Sequence, residues 1–184
     1  MTVAERTMTA AEFDAWAALP ENRDHSYEFI GGRIVEVVSN QESSFYGSYL
    51  VGLLAVYVRA HKLGFTTGAD GGYMVSGERY IPDGAFVSRA RQSKPSRQAY
   101  SSIAPDLAVE VLSPSNTPDE IRIKIANYLL AGTTVWLVDA DRERIEVYAP
   151  GAPVRVLRSG DSLDGGSLLP GFAVAVADIL TTQE

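Results

Sequence analysis

Three charged residues stand where the chain around them is apolar or constrained: Asp83 directly after Pro82, Glu110 within the run Leu107-Ala-Val-Glu-Val-Leu112, and Lys124 on a helical stripe. A carboxylate in the middle of an apolar strand loses its hydration. That loss costs several kcal/mol unless a metal, hydrogen bonds or an opposite charge replace the water. Glu110 therefore requires a partner. Asp106 shares its face at period two but lies about 13 Å away at roughly 3.3 Å per residue, too far for one small cation to bridge. Asp83 is expected on a different strand and can face Glu110 if the two strands are neighbours. Paired carboxylates suit a hard cation. Magnesium takes oxygen ligands, keeps several waters and is usually held by one or two carboxylates, so Asp83, Glu110 and the backbone carbonyl of Val111 would suffice, with manganese as a substitute. An ammonium from Lys124 can orient or help deprotonate a water there, or stabilise charge developing on a phosphoryl oxygen.

Stepping outward, the flanking elements are those that position these groups. Thr9 and Glu12 have capping-box spacing, and Phe13, Trp16 and Ala17 follow at helical spacing, so a short helix ends near Pro20. Residues 27–38 place two β-rich runs around Gly31-Gly32, a two-residue hairpin signal that puts Glu28 on a strand. Ser43 or Ser44 can cap the next helix, whose apolar stripe is read as Phe45, Tyr49, Leu53, Val56, Tyr57 and Ala60, with Gly64 as its stop. Residues 65–87 give two or three strands, the last entering through Ile81-Pro82-Asp83. This Gly-rich stretch lacks the Gly-Lys-Ser/Thr ending of a phosphate-binding loop.

Residues 88–102 carry Arg89, Arg91, Lys94 and Arg97 with no acidic residue and no apolar periodicity, which predicts a long exposed loop. Because it joins the strand of Asp83 to that of Glu110, it is expected to begin and end near the metal and to contact DNA phosphates. Residues 107–112 read as a central strand covered on both faces. Thr117, Pro118 and Glu120 open a helix that runs to about Ala131 before Gly132, with Ile121, Ile125 and Tyr128 as its buried stripe and Lys124 at the edge. Residues 135–138 and 145–148 give two more strands, and residues 154–157 add a further one. Strand, helix and strand from 107 to 138 make a crossover unit.

The 184 residues, 46% apolar and 21% charged, have no linker-like stretch and are read as one α/β domain spanning 1–184. Without cysteine there is no disulfide framework, thiolate zinc site or thiol nucleophile. The first residues do not resemble a basic-then-apolar leader, so none is expected, and the most apolar run, 45–58, is shorter than the ~20 residues of a membrane span. A cytoplasmic location is expected, with no membrane partner. The net charge of −7 argues against a protein that coats nucleic acid, though a local basic groove depends on where charges sit and not on their sum.

Pro82-Asp83, Asp106-Leu-Ala-Val-Glu110-Val-Leu-Ser113-Pro114, Lys124 with Tyr128, Ala131-Gly132 and Val135-Trp136-Leu137-Val138-Asp139 together resemble the putative restriction endonuclease family, formerly a domain of unknown function, of the PD-(D/E)XK nuclease superfamily. The resemblance extends from Thr9-Ala-Ala-Glu-Phe13 and Tyr27-Glu28-Phe29-Ile30-Gly31-Gly32 to Leu169-Pro170-Gly171-Phe172. It implies a restriction-endonuclease-like α/β/α core with a mixed central sheet and an added N-terminal helix and hairpin. It also implies magnesium-dependent DNA cleavage and often a homodimer, with Glu28 as an additional acidic site residue. Two positions depart from the family pattern. Leu112 stands where the superfamily expects lysine, so that role passes to Lys124, and Tyr46 stands where relatives often carry histidine.

Other readings compete. A structural Glu110–Lys124 ion pair explains both residues without catalysis, and goes with a catalytically silent dimer serving as a binding or regulatory module. His25 and His61 lack metal-ligand spacing and read as surface residues, and Ser113 has no histidine with which to form a triad.

Overall fold

In the computed structural model, which describes residues 8–181, the chain enters through helix α1 (Ala10–Ala17). The expectation of a leaderless start falls on residues 1–7, outside this range. The Thr9 and Glu12 side chains each bond the other's backbone N–H, the reciprocal cap expected from their spacing. Strands β1 (Tyr27–Ile30) and β2 (Arg33–Glu36) form the expected hairpin, with Gly31 and Gly32 both at positive φ. Helix α2 (Gln41–Ala60) follows, then β3 (Gly64–Gly68), β4 (Gly72–Val75), β5 (Glu78–Tyr80) and β6 (Gly84–Ser88). After the short β7 (Tyr100–Ser101) come β8 (Leu107–Val111), α3 (Pro118–Leu130), β9 (Thr134–Asp139) and β10 (Arg144–Tyr148). The chain closes with β11 (Arg155–Leu157), β12 (Ser162–Gly165), β13 (Leu169–Ala175) and α4 (Val176–Leu180).

The central sheet is mixed, in the order β11-β10-β9-β8-β6-β3. Only β8 and β9 run parallel in it, joined through α3 as the crossover pattern requires. Every residue of β8 is buried. One face packs Leu107, Val109 and Val111 against Leu50, Leu54 and Val58 of α2, with α4 on the same side. The other face packs Ala85, Ala108 and Val135 against Tyr128 of α3 and against Ile30, Val75 and Tyr80 of a second sheet, β2-β1-β5-β4-β7. This is the expected α/β/α arrangement with its N-terminal additions. Period-two alternation along β8 sends Glu110 to the α3 side. Among the described residues no helix is long and apolar enough to cross a membrane.

Four sequence expectations need correction. Asn40, not Ser43 or Ser44, caps α2, its side chain accepting from the Ser43 N–H at 2.8 Å. The buried face of α2 is Ser43, Tyr46, Gly47, Leu50, Leu54 and Val58. Phe45, Tyr49 and Val56 of the expected stripe are 43%, 38% and 74% exposed. The helix is apolar on more than one side, so periodicity alone supports two faces about 100° apart. Gly64 does not stop this helix: Lys62 takes the left-handed turn at φ 57, and Gly64 begins β3. Residues 64–88 make four strands, because Ser76-Gly77, both at positive φ, turn β4 into β5.

Candidate functional site

Asp83 immediately precedes β6, and β6 lies antiparallel beside β8. Backbone pairing between these strands ends at Gly84↔Val109. Beyond it the Asp83 side chain takes up the ladder, its Oδ2 accepting the Val111 N–H at 2.8 Å. Asp83 and Glu110 are thus brought together at one end of two neighbouring strands. The backbone of α2 passes closely here: a Cβ on Gly47 would stand 3.2 Å from Asp83 Cβ, and one on Gly84 would stand 2.3 Å from Val51 Cγ2. We expect Gly47→Val to displace the Asp83 carboxylate, and with it any manganese bound there, while the fold persists. Calorimetric manganese titration checks this, and an unchanged affinity would show that Asp83 is not seated by α2.

Lys124 is not at the edge of the buried helical stripe but at its centre, since it and Tyr128 are the buried residues of α3. Its Nζ donates to Glu110 Oε2 at 2.7 Å and to Glu28 Oε1 and Oε2 at 3.0 and 3.2 Å. Tyr128 Oη donates to Glu110 Oε1 at 2.8 Å. Glu28 reaches the cluster because β1 pairs with β5 at Phe29↔Arg79, and its Oε1 also accepts the Ile81 N–H at 2.6 Å. The Tyr80 ring lies 5.6 Å from Lys124 Nζ and stacks at a tilt on Tyr128. Sequence reasoning took Tyr128 for core alone. Its place one turn from Lys124 on the same face was the available signal that both serve one carboxylate.

Glu28, Glu110 and Lys124 are each only 6% exposed. One ammonium cannot neutralise three neighbouring carboxyl groups. Burial pushes the Glu110 carboxyl up to about 7 against the pull of Lys124, with Glu28 and Asp83 adding to the rise. Burial also raises Asp83, opposed by the Val111 N–H and Lys124. For Lys124, burial acts downward, but Glu110 and Glu28 outweigh it and hold the ammonium above the ordinary lysine range. Burial and the same two glutamates keep the Tyr128 phenol well above its usual range, so it is a neutral donor. Because Glu110 holds its proton more tightly in the folded chain than in the unfolded one, its stabilising contribution is complete below about pH 4.5 and is lost as pH rises through about 7. In metal-free buffer, wild type is therefore expected to lose more stability than Glu110→Gln between pH 5 and pH 8. Urea midpoints of both proteins at the two pH values check this, and equal losses would place the Glu110 titration elsewhere.

The acidic cluster lines a chamber of about 90 Å³, walled by residues of the β2 exit and of the segment leading into α3. Its donor set fits a hard divalent cation. Two carboxylates adjoin, the negative groups outnumber the positive one, and Asp83 Oδ1 takes no hydrogen bond among the described residues. No three acidic or histidine side chains converge closely enough to hold an ion among themselves, among the described residues. Any cation would accordingly keep several waters, as magnesium does.

The basic loop is placed differently from expectation. Because β6 and β8 are antiparallel, Asp83 and Glu110 lie at one end, whereas the loop leaves after Ser88 and returns at Asp106 at the other. Four steps along the strand take the chain from Gly84 to Ser88, roughly 13 Å at 3.3 Å per residue. Arg91 is committed to structure, pairing with Asp106 at 3.2 Å and donating to the carbonyls of Ala104 and Pro105. Arg89, Lys94 and Arg97 are exposed and do not line the acidic chamber. The premise that these four basic residues border the site is thus overturned. Asp106, for its part, closes the far end by accepting the Ser88 N–H at 2.7 Å. His25 and His61 are surface residues, paired with Glu36 and with the Tyr57 carbonyl. Tyr46 is buried and lines a larger cleft next to the chamber.

The α/β/α sandwich built on a mixed central sheet is the restriction-endonuclease-like fold. The chain belongs to the Uma2 family, described as "Putative restriction endonuclease", whose model matches residues 10–177. It is also similar to the crystal structure of a putative nuclease belonging to DUF820 from Anabaena variabilis, with a TM-score of 0.81 at 22% identity over 94% of this chain and 97% of that one. At that identity the likeness bears on the fold. No functionally curated protein matches the chain.

Proposed function

We propose that the protein is a magnesium-dependent endonuclease that hydrolyses DNA phosphodiester bonds. Family membership supports nuclease activity in general terms. The observation that carries the finer reading is the convergence of Asp83 and Glu110 from neighbouring strands on one buried, cation-poor chamber. Asp83, Glu110 and the Val111 carbonyl are the groups that would hold magnesium, which when bound supplies Lewis acidity and a more acidic water. Lys124 remains charged, so it donates to an anionic oxygen and does not take a proton. Tyr128 fixes the Glu110 carboxylate through Oε1, and Glu28 anchors Lys124. The Ile81 N–H in turn fixes Glu28, so each charged group has a partner that limits its rotation.

One observation favours a second reading. Both Glu110 oxygens already accept hydrogen bonds, from Tyr128 and Lys124, so a silent homodimer could retain this cluster for structure alone. In such a dimer the exposed apolar residues Phe45, Tyr49 and Val56 of α2 offer a contact surface. Manganese titration separates the readings: the nuclease binds the ion at Asp83 and Glu110, and absence of binding would replace it with the silent module.

A further inference from the structure

Beside the acidic chamber lies a second, much larger bay of about 690 Å³ that no role described so far uses. The two share Ser43, Val111, Ser113, Asn116 and Ile121 as lining, so they adjoin. Sheet register fixes how the bay lies relative to the chemistry. Glu110 pairs with Leu137, and Leu137 pairs with Glu146, so these residues form a row on the α3 side of the sheet. At about 4.8 Å between strands, Glu146 lies roughly 10 Å from Glu110. Tyr148, two residues on and on the same face, has its hydroxyl donated to Glu146 Oε2, and its ring packs against the core beneath. Packing against the core holds the ring as a half-buried platform.

The bay is not a phosphate groove. Its arginines are matched by acids: Arg122 pairs with Asp119 at 2.9 Å, Arg142 and Arg144 with Asp139 at 3.0 and 3.2 Å, and Arg144 also with Glu146 at 2.7 Å. A duplex backbone presents dense negative charge and is bound by unmatched Lys and Arg. An unpaired base presents a π-face and hydrogen-bonding edges instead. Its natural counterpart is an aromatic platform among polar groups. The volume lies within the roughly 300–1,000 Å³ range of small-molecule sites, suited to a single unstacked nucleotide and not to a helix. Resting on the nuclease reading, we propose that this bay receives an unpaired nucleotide flanking the scissile phosphate, with its base on Tyr148, so that the substrate is single-stranded or frayed DNA.

Fluorescence anisotropy with a labelled oligothymidylate and with a closed hairpin duplex, both in magnesium-free buffer, tests the bay without reference to cleavage. Wild type is expected to bind the single strand at least tenfold more tightly than the duplex. Tyr148→Ala should weaken single-strand binding about tenfold, the scale of one lost stacking contact. Tyr148→Phe, which keeps the ring, should restore it, and manganese affinity should be unchanged in both. Equal or tighter duplex binding, no binding of either DNA, or an alanine variant that binds as wild type would each overturn the unpaired-nucleotide site. Failure of manganese to bind is a separate result and would overturn the nuclease reading itself.

Discussion

Replacing Lys124 by methionine is expected to reduce cleavage on the order of 10²–10³-fold, the scale for losing one well-placed charge-stabilising donor. The side-chain stem is retained against the same neighbours, so the change isolates the ammonium. That ammonium lies within hydrogen-bonding distance of both Glu28 and Glu110 in a site almost closed to solvent. Removing it leaves two carboxyl groups facing each other without compensation. Breaking a buried ion pair from one side typically costs about 3–5 kcal/mol. Glu110 offers relief, because its carboxyl already titrates at about 7 and can hold a proton when the cation is gone. The loss of stability in Lys124→Met should therefore be larger at pH 8 than at pH 6. Magnesium should return part of it if the chamber binds the ion. Denaturant unfolding at both pH values, with and without magnesium, measures these effects beside the cleavage rate. A variant that cleaves at the wild-type rate would remove Lys124 from the chemistry. Destabilisation that magnesium does not touch would support the purely structural ion pair.

Much of the framework is legible in the sequence because local physics decides it. The two capping boxes bind their own backbone, and Gly31-Gly32 turns a hairpin whose strands pair in register. The strand of Glu110 is apolar enough to require burial, and its single carboxylate announces a compensated site. What could not be read depends on distant pairing. The exposed and buried faces of α2 carry similar apolar residues, and only the sheet beneath selects between them. Glu28 joins the cluster through β1 meeting β5, across 53 residues of chain to the Ile81 N–H. The basic loop was misplaced for the same reason: chain order cannot say which end of an antiparallel pair a connection leaves. Likewise β12, β13 and α4 carry little periodicity of their own, and they form because Leu163, Leu169, Val176 and Ile179 complete the core over α2.

Asp83→Asn and Glu110→Gln are each expected to abolish metal-dependent cleavage and to leave the fold intact, and the structure says why the two outcomes separate. The amide introduced at position 83 retains an oxygen able to accept the Val111 N–H, which Asp83 now bonds at 2.8 Å. The amide introduced at position 110 can accept from Lys124 and donate to the Tyr128 hydroxyl, so neither neighbour loses its partner. Lys124 then keeps Glu28 as its counter-charge at 3.0 Å. Each variant also removes one negative group from a site that has more of them than its cation can balance. Stability near pH 8 should be unchanged or slightly raised. What each variant loses is ligand charge. At a magnesium concentration a hundredfold above its Kd, wild type should gain about 2.7 kcal/mol of stability by mass action, and neither variant should gain any at that concentration. Thermal unfolding with and without the ion, followed by cleavage of a generic DNA substrate, distinguishes the readings through one pair of proteins. Wild-type cleavage in either variant would sink the site. A wild type that magnesium stabilises no more than the variants would leave Asp83, Glu110 and Lys124 as an ion-pair network whose work ends with holding β6, β8 and α3 together.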